Sequence, residues 1–513
     1  MVSTICIAIA IVAYMAAIVA VGISFSKKNQ NADDFYLGGR QLGPIVTAMS
    51  AEASDMSSWL LMGLPGVAYI SGIADAGWTA IGLAVGTYLN WLIVARRLRR
   101  YSAIAGNAIT IPEFFKNRYR ENKNILLIIA ALVILIFFVP YTASGFAACG
   151  KLFSSLFGMN YMTAMIISAA VIIVYTMLGG FLAASTTDLI QSIVMTIALV
   201  VVLFFGTHHA GGVGTVVENA KAIPGYLSMV QMGNSATGEA SPYGLLTIVS
   251  TMAWGLGYFG MPHILLRFMA IKNPADIPRS RRIATIWVCI SMTVAIFIGI
   301  IAYSLSKAGV IATFETSSEG ETAIIAISNF MSSYGVFPAL VAGVILAGIL
   351  ACTMSTSDSQ LLAASSSVSQ NILVDGFGIK MDDKQKLLAA RLTVIVIAII
   401  GVFLAKNPDS SVFQIVSFAW AGFGAAFGPV MLCALFWKRS NKYGAIAGML
   451  AGGIMVFVWK FGVRPMGGAW NIYELLPAFI VALVFDVVVS LLTPAPEQEI
   501  ITEFEKAQGS EEI

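Results

Sequence analysis

Long apolar segments recur from one end of this 513-residue chain to the other. A segment of about 20 apolar residues is long enough to cross a bilayer as an α-helix. Within the hydrocarbon core every backbone polar group needs a partner inside the protein, so only helices and closed β-barrels can span it. A β-barrel would show short segments of alternating polarity instead. The sequence therefore predicts an all-α polytopic protein that crosses the cell membrane many times and has the lipid bilayer as its solvent.

The composition agrees with this prediction. Hydrophobic residues make up 58% of the chain and charged residues 11%, whereas soluble proteins carry about 25% charged residues. The net charge of +3 is not the signature of a nucleic-acid-binding protein. We predict about thirteen membrane-spanning helices and number them in chain order as spans one to thirteen. They cover residues 2–25, 42–70, 74–95, 124–155, 160–180, 184–207, 243–269, 283–306, 335–370, 387–405, 412–437, 443–462 and 474–492.

The distribution of Lys and Arg predicts the orientation of these helices. With the N-terminus placed outside, the loops predicted inside hold 24 of the 30 basic residues, including those of "RRLRR" and "RFMAIKNPADIPRSRR". Cytoplasmic loops carry such an excess of basic residues. The N-terminus is therefore predicted outside and the C-terminus inside. The tail after Pro496, rich in Glu, is expected to be a mobile cytoplasmic end.

Span two contains acidic residues at a depth where lipid is expected to surround the helix. The stretch "AEASDMSSWLLMGLPG", residues 51–66, contains Glu52 and Asp55, and hydroxyls flank Asp55 at positions 54, 57 and 58. A carboxylate at membrane depth costs about 3 kcal/mol on insertion scales, so such residues usually face a wet cavity or an ion path. The alternative is a polar patch that holds helices together.

Span seven contains a predicted helix break. In "TMAWGLGYFGMPHILLRFMA", residues 251–270, three glycines and Pro262 fall within eight residues. Gly and Pro disfavour helix, and freed backbone groups are tolerated at this depth only where they line protein or water. Trp254 and Tyr258 would lie on one face if the turn is helical. They are interpreted as the wall of a small-molecule pocket, with simple packing as the alternative.

Span nine is rich in hydroxyl groups. The stretch "ACTMSTSDSQLLAASSS", residues 351–367, also contains Asp358. Hydroxyl oxygens suit a hard cation, although they can also bond to the carbonyls of their own helix. A further acid, Asp188 in span six, either caps that helix near the inner face or lies on an ion path. Spans two and seven are five helices apart, and corresponding breaks in two halves are typical of inverted-repeat transporters with a midplane site.

Three stretches together resemble the solute:sodium symporter family, and within it the members that carry proline. They are "FYLGGRQLGPIVTAMSAEASDMSSWLLMGLPG", "WGLGYFGMPHILLRFMA" and "SFAWAGFGAAFGPVMLCALFW". The resemblance implies a leucine-transporter-like core of two inverted five-helix repeats. The implied organisation is a first helix and loop at 1–40, repeats at 41–210 and 243–440, two C-terminal helices at 441–495 and a tail at 496–513. Family members usually have small residues where this chain has Glu52 and Ser58.

The resemblance also implies a function and a set of site residues. It implies import of L-proline coupled to sodium entry, with Na+ as coupling ion and no organic cofactor; the oligomeric state is left open. The implied sodium-binding residues are Ala53, Asp55, Met56, Cys352, Ser355 and Thr356. The implied substrate-binding residues are Ser57, Ser58, Tyr141, Trp254, Tyr258 and Pro262. Arg40, Glu52 and Asp188 are assigned to transport coupling.

Glu52 lies three residues before Asp55, so a helix would place both carboxyl groups on nearly the same face. Two ionised carboxylates so close at low dielectric repel each other. We therefore expect Glu52 to be protonated at least part of the time, while Asp55 carries the charge near sodium. The alternative is that Glu52 reaches a wet cavity or a basic partner and stays ionised.

Other functions remain open at this point. Another small solute, such as a vitamin, a sugar or an acidic sugar, would fit the same architecture. An intramembrane enzyme would need a nucleophile–base pair or a metal cluster, and His263 has no evident partner in the sequence. A channel would have little use for substrate-shaped aromatic residues at a helix break. A transporter rather than an enzyme is therefore expected.

Overall fold

The computed structural model describes residues 2–26 and 32–509 and is built almost wholly of helices. A short antiparallel hairpin, Gln231–Gly233 with Ala240–Pro242, lies in the loop before span seven. The helices of the first half are Val2–Ser26, Ala32–Leu37, Gly38–Arg40, Pro44–Ser58, Trp59–Gly63, Leu64–Ser71, Ile73–Leu89, Asn90–Val94, Ala95–Ile104, Ile111–Arg118, Ile125–Phe157, Tyr161–His209 and Gly212–Lys221. Those of the second half are Leu245–Met252, Ala253–Gly260, Pro262–Ala270, Pro274–Asp276, Ile277–Lys307, Ser317–Gly320, Ala323–Ser332, Val336–Ser366, Ser367–Gly376, Asp383–Leu404, Val412–Phe436, Lys442–Val458, Trp459–Val463, Arg464–Met466, Gly468–Trp470, Leu475–Leu492 and Gln498–Gln508.

Ten helices among the described residues are long and apolar enough to cross a membrane. The polytopic helical architecture is therefore confirmed. The other three predicted spans coincide with shorter or interrupted helices. Span five is the short segment Tyr161–Met177, which is separated from span six by a kink at Gly180, where φ is 67°. Spans two and seven are the interrupted ones. The count of thirteen crossings and the orientation of the termini stay predictions.

Span two breaks at Ser57. Its first half, Pro44–Ser58, is helical up to Ser57, where φ is 32° and ψ is −171°. This positive φ is sterically unfavourable for a residue with a side chain. One wide turn, Trp59–Gly63, follows, and the second half resumes at Leu64. The break falls two residues after Asp55, so the acid lies at the end of the first half-helix.

Span seven breaks in a different way. A 3₁₀ segment, Ala253–Gly260, ends at the extended residue Met261, and Pro262 begins the second half-helix. Pro is favoured at the first helical position because it has no N–H to leave unpaired there. A Cβ added at Gly260 would lie 2.2 Å from the Phe423 carbonyl oxygen. Glycine therefore lets the break pack directly on the backbone of span eleven.

The long span-nine helix, Val336–Ser366, occupies the centre of the bundle. It packs against the helices of spans one, two, four, five and six. The span-seven 3₁₀ segment packs against spans three and eleven, and spans twelve and thirteen pack on each other and on span eleven. Both broken helices and the hydroxyl-rich part of span nine therefore meet in the interior. The repeat boundaries inferred from the resemblance stay a prediction.

The tail differs from the expectation of a mobile end. Gln498–Gln508 forms a helix whose apolar face is buried, and the Phe504 ring lies 6.2 Å from that of Tyr101. On its polar face Glu503 pairs with Arg120 at 3.1 Å. The many Glu residues led to the expectation of a mobile end, but the spacing of Ile500, Phe504 and Ala507 gives the helix one apolar side, which packs on the protein.

Candidate ion and substrate site

The break of span two and the hydroxyl-rich stretch of span nine meet side by side. The Ser355 hydroxyl lies 2.7 Å from the Ala53 carbonyl oxygen and 3.1 Å from the Cys352 carbonyl oxygen. All three residues are fully buried. Two carbonyls and a hydroxyl from two different helices thus converge, and oxygens of this kind are the ligands that a hard cation takes.

Two further oxygens of the predicted ion site border this cluster. The Met56 carbonyl accepts a hydrogen bond from the N–H of Trp59, two residues past the break at Ser57. The Thr356 hydroxyl is buried and has no hydrogen-bond partner among the described residues. A buried hydroxyl without a partner is costly, so Thr356 has an oxygen available for a ligand at the position where the sequence predicted one.

Asp55 links the two broken helices. One of its carboxylate oxygens accepts a short hydrogen bond from the Tyr258 hydroxyl, and its carbonyl oxygen lies 3.3 Å from the Tyr141 hydroxyl. The side chains of all three residues are buried. The structure thus brings Asp55, an implied sodium-binding residue, into contact with two implied substrate-binding tyrosines. The carboxyl group of Asp55 lies where spans two, four and seven meet.

Trp254 lies in an aromatic cluster beside this acid. Its ring stacks on Tyr473 at a centroid distance of 5.2 Å and lies 5.3 Å from Phe413. Trp254 and Tyr258 would share one face only in an α-helical turn, and this turn is 3₁₀, in which residues four apart diverge by about 120°. Both rings nevertheless contact Trp420, at 6.3 Å and 5.1 Å. They form adjoining walls rather than one face.

The remaining substrate-side residues surround the two breaks. Pro262 begins the second half of span seven. The Ser57 hydroxyl accepts from the Trp59 N–H at 3.3 Å, and the buried Ser58 hydroxyl has no partner among the described residues. Polar groups at the span-two break therefore point into the protein interior.

Asp188 does not cap span six. The span starts at Gly180, so Asp188 lies two turns inside the helix. It is buried, accepts a hydrogen bond from Ser50 at 2.6 Å and pairs with Arg267 at 3.2 Å. The same terminal nitrogen of Arg267 also donates a hydrogen bond to the Ser359 hydroxyl, at 2.6 Å. Asp188 is thus part of a polar network that joins spans two, six, seven and nine.

Arg40 lies away from the ion cluster. Its guanidinium donates to the carbonyl oxygens of Met269 and Ala108 at 2.6 Å and 2.8 Å. Met269 is in the last turn of the second half of span seven, where carbonyls lack partners within the helix. Arg40 therefore connects the loop before span two to the end of span seven.

Two residues of this region were missed by the sequence interpretation. Arg267 was counted with the cytoplasmic loops, yet it is buried inside the second half of span seven. Trp91 is buried and donates from its indole nitrogen to Glu52 at 3.1 Å. Arg267 follows the break in span seven by five residues, 262–266, and so lies within the predicted span. It could therefore have been recognised as a candidate intramembrane charge. Nothing in the sequence pairs Trp91 with Glu52.

Comparison with known proteins identifies the family. The model of the sodium:solute symporter family matches residues 35–452. The chain is 41% identical over 499 residues to the sodium/proline symporter of Haemophilus influenzae, with 96% of each chain covered. It is 40% identical over 484 residues to the osmoregulated proline transporter OpuE of Bacillus subtilis, with 94% of each covered.

A solved structure shows the same fold. A Na+-coupled sialic acid symporter in a substrate-bound outward-open state superimposes with a TM-score of 0.78 at 19% identity, and the match covers 96% of this chain and 99% of that one. The interrupted helices and the family match agree with this likeness. The chain belongs to the sodium:solute symporter family.

Proposed function

We propose that this protein imports L-proline by coupling it to sodium entry through alternating access. One observation carries the proposal: the Ala53 and Cys352 carbonyls and the Ser355 hydroxyl converge beside Asp55. Neutral oxygens from two helices next to a buried carboxyl group are the kind of ligand set that a small hard cation takes. The names of the relatives support proline as the solute.

Sodium holds two helices together in this mechanism. An ion that takes oxygens from span two and from span nine holds these helices in one arrangement. A ligand shifts a conformational equilibrium by as much as its affinities for the two states differ. Sodium bound at this junction therefore favours the arrangement in which both helices face the substrate. When the ion leaves, this arrangement is no longer favoured.

The aromatic walls suit proline. Its flat apolar ring matches the buried faces of Trp254 and Tyr258, and its zwitterionic head needs both acceptors and donors. The carboxyl group of Asp55 and the Ser58 hydroxyl, which has no partner among the described residues, supply acceptors. The half-helix that starts at Pro262 supplies donors, because the first N–H groups of a helix have no partner within it.

The driving force is sufficient for uptake. One sodium ion moving through about 100 mV releases about 2.3 kcal/mol. A tenfold sodium gradient adds about 1.4 kcal/mol. Together they allow accumulation of a neutral solute by about 500-fold at one ion per substrate.

The test is uptake of labelled proline into proteoliposomes. With an inward sodium gradient we expect accumulation above the equilibrium level, and none when choline replaces sodium outside. Uptake equal in sodium and in choline would contradict the proposal. A competition panel of sugars, vitamins and acidic sugars distinguishes proline from the other solutes, because only solutes that share the site reduce the uptake of label.

Removing one hydroxyl of the ion cluster should weaken sodium binding. Ser355→Ala and Thr356→Ala each delete a hard oxygen, at a cost of about 1–3 kcal/mol for a buried polar interaction. We expect the sodium concentration for half-maximal uptake to rise about tenfold. Ser365→Ala is the matched control, since Ser365 lies in the same helix and its hydroxyl donates to the Leu362 carbonyl one turn before it. Normal sodium dependence in both variants would show that the ion binds elsewhere.

Glu52 gives a prediction about pH. The structure favours the protonated form, because one carboxyl oxygen accepts only from Trp91 and the other has no partner among the described residues. Glu52→Gln should keep sodium-driven uptake near neutral pH and flatten its dependence on pH between about 6 and 8. The pH profile of the wild type serves as the reference. Complete loss of uptake at neutral pH, or an unchanged profile, would rule out the protonated role.

A further inference from the structure

Tyr473 is a buried aromatic residue in the loop between spans twelve and thirteen, outside the predicted repeats. Its side chain is 7% exposed. Its ring lies nearly parallel to that of Trp254, with the centroids 5.2 Å apart and an angle of 22° between the planes. The loop before span thirteen therefore covers one face of a ring that is proposed to contact the substrate.

Hydrogen bonds fix Tyr473 at both ends. Its backbone N–H donates to the Ser250 hydroxyl in span seven, and its own hydroxyl donates to the Ser417 carbonyl oxygen in span eleven, each at 2.6 Å. The next residue, Glu474, is buried and pairs with Arg464 at 2.8 Å. A side chain held by packing and by hydrogen bonds in this way can keep a neighbouring functional group in one geometry.

The indole of Trp254 lies among several aromatic rings. Its backbone is held from span eleven, because the Trp254 carbonyl accepts from the indole N–H of Trp420 at 2.7 Å. Its ring also contacts Trp59, in the wide turn that follows the span-two break, at 6.0 Å. No ring contact joins Tyr473 to Trp59 among the described residues, so these two contact different parts of the indole. The orientation of the indole is therefore determined by the span-two break and by the loop before span thirteen together.

This arrangement restricts the size of the substrate pocket. Protein interiors are close-packed, so a buried ring moves only into space that its neighbours leave. Trp254 is 4% exposed, and Tyr473 fills the space on one of its faces. A solute with a larger ring requires this wall to move, and Tyr473 opposes the movement. A hydrophobic pocket distinguishes solutes that differ by one methylene group by about 10- to 200-fold.

We propose that Tyr473 is a positioning residue that fixes Trp254 and thereby sets the largest ring that the transporter accepts. This inference rests on the proposed function. The five-membered ring of L-proline fits the pocket, and the six-membered ring of L-pipecolate, which is one methylene larger, is excluded. The loop before span thirteen thus selects the substrate through Trp254, without a contact of its own to the solute.

The first test compares the uptake of two labelled solutes. The selectivity ratio is the initial uptake rate of L-pipecolate divided by that of L-proline, both at low concentration. Tyr473→Leu removes the stacked ring and keeps an apolar side chain, and we expect the ratio to rise at least about tenfold. Tyr473→Phe keeps the ring, and we expect the ratio to stay within about threefold of the wild type.

Two further measurements serve as controls. Trp470 is an exposed aromatic residue of the same loop whose ring lies 5.9 Å from that of Trp459. Trp470→Ala should leave the selectivity ratio unchanged. The sodium concentration for half-maximal uptake at saturating proline should change by less than about twofold in every variant, because no proposed ion ligand is altered.

Ser250→Ala tests the same contact more mildly. It removes the acceptor of the Tyr473 N–H and leaves both rings in place. We expect the selectivity ratio to rise about threefold, the effect of losing one hydrogen bond that holds the loop. This variant keeps the inference testable if Tyr473→Leu does not fold.

The outcomes are distinct. A wild-type chain without sodium-dependent proline uptake would overturn the proposed function and this inference with it. A transporting wild type whose selectivity ratio is unchanged in Tyr473→Leu, or in Ser250→Ala where the leucine variant does not fold, would overturn the inference alone. Equal changes in Tyr473→Leu and Tyr473→Phe, or a parallel loss of sodium affinity, would assign Tyr473 a general structural role and overturn it as well.

The second test asks whether Tyr473 acts through Trp254. Effects of two residues that act as one unit do not add, whereas effects of independent residues do. In a Trp254→Leu background the indole is absent, so we expect Tyr473→Leu to change the selectivity ratio by less than about twofold. A change as large as in the wild-type background would show that Tyr473 acts independently of Trp254, which contradicts the positioning role.

Discussion

Replacing Asp55 with asparagine is expected to lower sodium-driven proline uptake by at least about 100-fold, the effect of removing a charge partner worth about 3 kcal/mol. Asn has the size of Asp, so the packing is kept and the charge alone is lost. The other proposed sodium ligands, the carbonyls of Ala53 and Cys352 and the hydroxyl of Ser355, are neutral. A monovalent cation without a counter-charge is unstable in a buried site of low dielectric.

Glu52 does not replace the lost charge in this variant. Its carboxyl group faces Trp91 in span three, whereas Asp55 faces Tyr258 in span seven. Sodium bound beside the Ala53 carbonyl therefore has Asp55 as its ionised neighbour. A Glu52→Gln/Asp55→Asn double variant should transport no better than Asp55→Asn alone.

The measurement is initial uptake in proteoliposomes, with the amount of reconstituted protein determined in parallel. Asp486→Asn is a suitable control, because Asp486 is also a buried membrane acid and accepts from the hydroxyls of Ser440, in the loop before span twelve, and Ser490, in span thirteen. We expect this control to keep the sodium dependence of the wild type. Asp55→Asn protein that is well folded and retains more than about a tenth of wild-type uptake would refute a role for Asp55 in charge compensation.

The sequence predicted the helical membrane fold and both helix breaks for physical reasons that operate locally. Hydrophobic length requires spanning helices, and the Gly and Pro residues around Gly260 remove helix propensity at one place. The acids of span two indicated the break in that span, because a carboxylate at membrane depth is too costly to face lipid. The shape of each break was not predictable. Whether the chain before Met261 adopts a 3₁₀ helix or an α-helix depends on the packing of spans three and eleven against it.

The site was predicted as a set of residues but not as a set of contacts. Local chemistry and the family resemblance indicated Asp55 and Ser355, and the structure places both at one junction. The contact of Glu52 with Trp91 joins residues 39 positions apart, and no local pattern encodes such a pairing. Arg267 lies two residues before the predicted end of span seven and was counted with the following loop, because hydropathy defines span ends only to within a few residues. A basic residue near a span end is then ordinarily a cytoplasmic anchor.

The burial of Arg267 leads to the prediction with the largest effect on stability. Arg267→Met should destabilise the protein by about 3–5 kcal/mol, because it leaves buried carboxylates without their cation. Asp188 contacts the guanidinium directly, and Asp358 lies within its electrostatic reach. Asp188→Asn should cost less, since Arg267 then keeps Asp358 as a counter-charge. Loss of the arginine is thus expected to destabilise the protein more than loss of the aspartate charge.

The Asp188→Asn/Arg267→Met double variant distinguishes this explanation from simple loss of packing. Removing the aspartate charge together with the arginine leaves fewer unpaired charges, so the double variant should be more stable than Arg267→Met alone. Thermal denaturation in detergent, followed by the loss of monodisperse protein, gives the order of stabilities.

An Arg267→Met variant as stable as the wild type would show that the pair is not needed for folding. If the double variant is at least as unstable as the sum of the two single effects, the arginine acts through its packing on Phe181 rather than through its charge. Uptake by a stable double variant then measures whether the pair, which joins spans two, six, seven and nine, is also required for transport.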